Sequence, residues 1–292
     1  TETLTIEGTL TIEGTLISNG TLAKSGTGAI TVGDTGKIYS GQDLNDGTGS
    51  AFGLTAGANI IYPDANNKFV VGTNFPTTLN FNFTIPNGVI LEVTDGVTLT
   101  IAATLTMNGT LISSYGTLVK SGTGSITNNG TIYSPQDLND GTTSDFGLTA
   151  GANNFFPDDN NKFVVGTNFP TTLNINFTIP SGVTLEVPVG VTLTIADATT
   201  LTMNGTLISN GTLVKSGTGS ITVGDTGTIY SPQDLNDGTT SDFGLTAGAN
   251  NFFPDDNNKF VVGTNFPTTL NINFTIPSGV TLEVPVGVTL TI

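Results

Sequence analysis

The chain has 292 residues, 7 basic groups against 23 acidic ones, a net charge of −16, and no His, Cys, Trp or Arg. Without His and Cys, the commonest general base, thiol nucleophiles, disulfides and Cys-ligated zinc are excluded. A charge of −16 carried without a single Arg speaks against binding nucleic acid through its phosphates.

Thr numbers 55 and Gly 38, while charged residues make up only 10%, well under the usual ~25%. The 36% of apolar residues is enough for a core. No apolar run is long enough to cross a membrane as a helix, so no membrane insertion is expected. The first residues show neither the basic nor the apolar region of a signal peptide.

The opening of the chain reads TLTIEG, TLTIEG, TLISNG, TLAKSG. Leu4 and Ile6, then Leu10 and Ile12, stand two apart and share one face of a short strand, with Thr on the other. Leu16 and Ile17 follow as adjacent apolar residues. Each strand is very short and ends at Gly beside Glu, Asn or Ser. The same reading applies to 105–107, 111–113, 118–120, 126–128 and 132–134. No helical period occurs. Asn-Gly corners could make hairpins and an antiparallel meander. Near-identical hexads, however, suit stacking of like on like in a parallel solenoid, with coils of roughly 18–24 residues.

Residues 135–172 are less regular and hold Phe146, Phe155, Phe156, Phe163 and Phe169. Either wide solenoid coils with long loops or a small β-module would fit this segment. Clean alternation returns at Leu173, Ile175, Phe177 and Ile179, continues through Val183, Leu185 and Val187, and ends at Val191, Leu193 and Ile195.

The tetrapeptide TLTI at 3–6, 98–101, 192–195 and 289–292 marks a longer period, and residues 134–195 recur without change as 231–292. The units are 3–97, 98–191 and 192–288, with 289–292 as the start of a further one, as in an excerpt from a longer array. Length differences fall at 114–115, 128–129 and 196–199, beside Gly, Asn or Asp, where turns are expected. The expected fold is all-β: a parallel β-solenoid (β-helix) of three tandem repeats of about 95 residues.

The run IPSGVTLEVPVGVTLTI (179–195), followed by LTMNGTLISNGTL, resembles right-handed parallel β-helix segments of secreted bacterial adhesins and cell-surface repeat proteins. The matching GVTL and GTL-x-x-NG steps cover more than half of each unit. Enzymes on such folds, polysaccharide lyases and hydrolases, would imply Asp clustered with Arg, Lys or His. Here the carboxylates recur identically, whereas an enzyme needs one differentiated site, so no catalytic residue is expected.

The acidic residues gather in Asn-rich loops. They are Asp137, Asp140, Asp145, Asp158 and Asp159 in the second unit, and Asp234, Asp237, Asp242, Asp255 and Asp256 in the third. The first unit keeps Asp43, Asp46 and Asp64 but has Ala51 and Ala65 at the other two positions. Two readings stand. Oxygen-rich loops of this kind can hold calcium, the one cofactor the chain could take. Equally, they are solvated Asx turns, since DLNDG lacks the EF-hand spacing. Outward Thr-x-Thr pairs such as Thr98/Thr100 and Thr192/Thr194 resemble ice-binding solenoids, and they also suit any uncharged strand face. The Phe-rich stretch reads as core or as a sugar platform. Asn82, Asn176 and Asn273 begin Asn-Phe-Thr sequences that match the N-glycosylation acceptor. Lys120, Lys162 and Gln136 recur once per unit, the residue types of an isopeptide or ester crosslink.

The expected function is that of an extracellular or cell-surface structural repeat protein. It would form a rigid stalk or fibre, with coils stacked and copies associating end to end through open strand edges. A module that binds polysaccharide or ice is the alternative, and a carbohydrate-active enzyme the third reading.

Overall fold

A computed structural model describes residues 2–45, 52–114, 116–139, 141, 143, 145–236, 239–240, 242–248 and 250–292. The chain is all-β, a parallel β-solenoid of about 12 turns, without a helix among the described residues. It parts into two compact units, Thr1–Thr149 and Ala150–Ile292.

Successive strands take three faces in turn, and each strand pairs with the one a full coil later. In the second unit one ladder runs Lys162–Val164, Thr184–Val187, Thr206–Ser209, Thr228–Tyr230 and Asn251–Phe252. The other two faces hold Thr172–Leu173, Thr192–Ile195 and Thr212–Lys215, and Phe177–Ile179, Thr200–Met203 and Ser220–Val223. The first unit repeats the scheme, for example Ile90–Val93 under Thr110–Ser113. The register partners, from the short step of Thr3 on Thr21 to the long step of Phe177 on Leu201, stay within the expected coil length.

The antiparallel meander is not what forms. Every strand pair in these ladders is parallel, and antiparallel contacts occur as isolated bridges such as Gly57–Ile60 and Gly248–Asn251. The reason lies in the Asn-Gly corners. A two-residue hairpin would need Gly in the left-handed region, yet Gly109 and Gly205 keep φ outside it. Gly stands there because of close stacking: a Cβ at Gly205 would overlap the carbonyl oxygens of Val183 and Pro180 in the coil before it.

Inside, like stacks on like. Leu185, Leu207 and Ile229 form one column, each fully buried. Each such side chain contributes about 1.5–3 kcal/mol by leaving water. Outside, Thr and Ser hydroxyls face solvent and bond along the axis, as from Thr31 to Thr11 at 3.0 Å and from Thr222 to Thr202 at 3.1 Å.

The irregular segment turns out to be a coil and not an inserted module. In the second unit Leu235, Phe243 and Phe253 are buried, and Ile229 pairs with Asn251 one full coil later. Phe156, Phe163 and Phe169 are likewise buried, so these rings are core and offer no sugar platform. The ladder then breaks and a new one starts at Lys259–Val261. The first unit breaks in the same way after Ile60–Ile61 and restarts at Lys68–Val70. The restarted part docks sideways on the outer face of the part before it. Phe81 lies 4.1 Å from Tyr39 between ring centroids, and the Thr84 N–H donates to Asn19 Oδ1 at 3.0 Å. In the second unit Phe274 meets Tyr230, and the Thr275 N–H donates to Asn210 Oδ1.

Each restart carries one surface ion pair: Lys68 with Glu92, Lys162 with Glu186, and Lys259 with Glu283. All three are partly exposed, so the expected value of each is small. Glu186→Gln should lower stability in urea unfolding by no more than about 1 kcal/mol, and less at high salt.

Candidate functional site

The segments that chemistry singles out converge where one ladder ends and the next begins. The chain turns there on an Asp and an Asn. Asp255 Oδ1 accepts the N–H groups of Asn257 and Lys259, both at 3.0 Å, while Asn258 takes the left-handed conformation with φ 54°. Asn is the side-chain-bearing residue best suited to that region. Asp64 and Asp158 make the same pair of bonds in their own turns.

Beneath each turn sits an asparagine that sequence reasoning did not single out. Asn168 is 5% exposed. Its Oδ1 accepts the Val164 N–H at 2.6 Å, and its Nδ2 donates to the carbonyls of Phe156 and Lys162, both at 3.0 Å. Asn74 and Asn265 do the same for Val70, Tyr62 and Lys68, and for Val261, Phe253 and Lys259. One amide thus ties the end of an old ladder to the first strand of the new one. Its only signal in the sequence is the recurring GTNFP.

A second amide closes an open strand edge. Gln136 Oε1 accepts the Leu118 N–H at 3.0 Å, and its Nε2 donates to the Leu118 carbonyl at 2.9 Å, so one side chain stands in for the next strand. Gln42 serves Leu22, and Gln233 serves Leu213. This satisfies backbone groups that would otherwise template pairing. It also gives Gln136 a backbone partner, while Lys162 forms an ion pair with Glu186.

The acidic residues fall into place around these turns. Asp137 and Asp234 accept the N–H groups of Asn139 and Asn236, and Asp145 and Asp242 accept those of Gly147 and Gly244, each at 2.9 Å. Asp140 and Asp237, like Asp46 and Ala51, lie outside the described residues. Asp159 is exposed on its turn. Asp234, Asp255 and Asp256 line one open cleft of about 520 Å³ with Gln233, Asn236 and Asn258. The first unit has the counterpart, lined by Gln42, Asp43, Asp64 and Asn67, with Ala65 in place of the second acid of the turn. Among the described residues no three acidic groups converge closely enough to hold a metal ion.

Asp255→Ala should cost about 1 kcal/mol, as for loss of an Asx-type cap, equally with calcium and with chelator. A melting difference between those two buffers that Asp255→Ala abolishes would assign the cleft to the ion.

Asp197, in the insert at 196–199, is a second residue the sequence did not mark. The Thr218 N–H, the Thr218 hydroxyl and the Ala198 N–H all donate to its carboxylate and hold its pKa below the usual value. A lowered folded pKa means that its contribution is present above the ordinary carboxylate range and is lost as pH falls through the lowered value. Carboxyl NMR titration should show the low midpoint, and Thr218→Val should move it part of the way back.

Asn82, Asn176 and Asn273 are exposed. The Oδ1 atoms of Asn82 and Asn176 accept the Thr104 and Thr200 N–H groups of the next coil. Asn273 lines a cleft with Lys162, Glu186 and Asn210.

No protein-family model matches the chain, and neither a curated protein nor a solved structure does.

Proposed function

We propose that the chain is an extracellular structural element, a rigid β-solenoid stalk or fibre in which coils stack and copies associate end to end. The observation that carries this reading is the ladder itself. Within each unit fully buried aliphatic columns run coil upon coil under an outer surface of Thr and Ser hydroxyls, an arrangement that yields length and stiffness. Side-chain amides at every break, Asn168 and Gln233 among them, satisfy the backbone where the ladder stops. Electron microscopy of the purified chain and of native material tests the reading: rods or uniform filaments are expected, and compact particles without elongation would overturn it.

A polysaccharide-binding module is the second reading, favoured by the recurrence of the polar cleft around Gln42 and Asp64 and around Gln233 and Asp255. A glycan array read with the wild type and with Asp234→Ala separates the two. Specific binding that the substitution abolishes would replace the structural reading.

A further inference from the structure

We propose that Asn87 is a site of spontaneous deamidation. Attack by the backbone nitrogen of Gly88 replaces its side-chain amide with a mixture of aspartate and isoaspartate. The change puts a new, permanent negative charge at one coil corner of the first unit.

The chemistry needs an Asn followed by Gly. The Gly88 nitrogen attacks Cγ of Asn87, and a bond forms between them. The Cγ–Nδ2 bond breaks, and Nδ2 leaves as ammonia with the proton from the Gly88 nitrogen. Water then opens the five-membered imide at either carbonyl. One opening gives aspartate and the other isoaspartate, whose main chain runs through Cβ. Water is the only co-reactant. Gly favours the attack because it has no Cβ to crowd its nitrogen. Two freedoms set the rate: the peptide must turn until the nitrogen reaches Cγ, and the amide must swing to meet it.

The chain holds six Asn-Gly pairs, with Asn at 19, 87, 108, 129, 204 and 210, so the other five serve as controls. Four of these are locked through their backbone. The N–H groups of Gly109, Gly130, Gly205 and Gly211 donate to carbonyls of the coil before, at 2.9 to 3.2 Å. Each of these glycines also lies so close to that coil that a Cβ would overlap a carbonyl oxygen. Turning the peptide would break the bond and drive the chain into its neighbour. The fifth, Asn19, is held by its side chain, since its Oδ1 accepts the Thr84 N–H at 3.0 Å.

Asn87 and Gly88 form the middle of a tight turn. The Val89 N–H donates to the Pro86 carbonyl at 3.2 Å, and Gly88 takes φ 78°, as in a type II turn. Among the described residues neither the Gly88 N–H nor the Asn87 amide has a hydrogen-bond partner. Both residues are exposed, and a Cβ at Gly88 would have no atom within 4 Å. One turn hydrogen bond is all that has to open. The corresponding corners are Ser181–Gly182 and Ser278–Gly279, with φ 82° and 87° at the glycines. They make the same turn without an amide, so the reaction is confined to position 87.

The product changes its surroundings in two ways. Asn87 lines the polar cleft that holds Asp43 and Asp64, so a third carboxylate joins two others in a chain already at −16. Isoaspartate also lengthens the corner next to Val89. That residue is buried, and its carbonyl accepts the Thr110 N–H of the next coil at 3.0 Å. The corner thus acts as a clock, and its coil should loosen with age.

Peptide mapping with fragmentation tests the proposal on the full chain, aged at body temperature and mildly alkaline pH. Asn87 is expected to convert roughly tenfold or more faster than Asn108, Asn204 or Asn210, because a backbone hydrogen bond that must first open is worth up to about that factor. In concentrated urea the six sites should come within a few fold of one another. Asn87→Ser, the residue of the corresponding corners, should keep both its isoelectric point and its urea midpoint through the same ageing, whereas the wild type loses midpoint as Asn87 converts. Conversion at Asn87 no faster than at the other five sites in the folded chain overturns the proposal. An equal lead of Asn87 in urea overturns it too, since the corner would then play no part. Full conversion with an unchanged midpoint overturns the clock.

Discussion

Asn168→Ala is expected to destabilise the second unit by about 2–4 kcal/mol, among the largest effects of any polar substitution in the chain. The substitution removes no apolar surface. It strands the Val164 N–H and takes the donor from the Phe156 carbonyl beside a side chain that is itself 5% exposed, while the Lys162 carbonyl keeps the Asp158 N–H. Each buried group left without a partner costs about 1–3 kcal/mol. Asn265→Ala, with the same bonds, should cost a similar amount. Asn168→Asp separates packing from hydrogen bonding. Its carboxylate would face two carbonyl oxygens, so burial and repulsion would raise its folded pKa. A raised folded pKa leaves the variant least harmed at acid pH and costs progressively more as pH rises through and above the usual carboxylate range near ~4. Urea unfolding at pH 4 and pH 7 reads this directly. A variant equally stable at both would show that the amide's two donors contribute nothing.

Leu185→Ala and Leu282→Ala form the second pair. The two leucines lie in identical sequence and take the same place in a coil, but Leu185 is fully buried between Phe163 and Leu207, whereas Leu282 is covered only on the side of Phe260. Removing Leu185 leaves a closed cavity and should cost about 3–5 kcal/mol. Leu282 sits at an open face that water and neighbours can fill, and about 1–2 kcal/mol is expected. Thermal or urea unfolding of the two variants gives the difference. Equal losses would mean that Leu282 is covered in solution, and the loss at Leu282 should then depend on protein concentration.

The coil was legible because its determinants are local. Leu4, Ile6, Leu10 and Ile12 alternate with Thr, and corners of Gly leave room for the carbonyls of the coil below. The break was not legible from periodicity, because it is made by single polar side chains acting on backbone groups. GTNFP looks like any turn until Asn168 is seen spanning two ladders. One clue was present in outline: Leu16 and Ile17 are adjacent apolar residues, and a strand apolar on both faces has something to pack outside as well as inside. Tyr39, next along that outer face, meets Phe81. The acidic loops were open to two readings for a related reason. Asp and Asn in clusters look like ligands, but Asp158 and Asp255 each commit an oxygen to N–H groups two and four positions ahead.

The near-constant register, from Thr3 on Thr21 to Phe177 on Leu201, also bears on how the chain folds. Every strand finds its partner across a loop of almost the same short length, so the entropy lost in closing each contact stays level as coils are added. Parallel sheets are ordinarily slow because their partners are far apart in sequence, and this one escapes that penalty. Folding can start at any coil that has formed two rungs and spread to its neighbours. The rate-limiting events should therefore fall at the amide-tied breaks, where the old ladder gives the next strand nothing to copy.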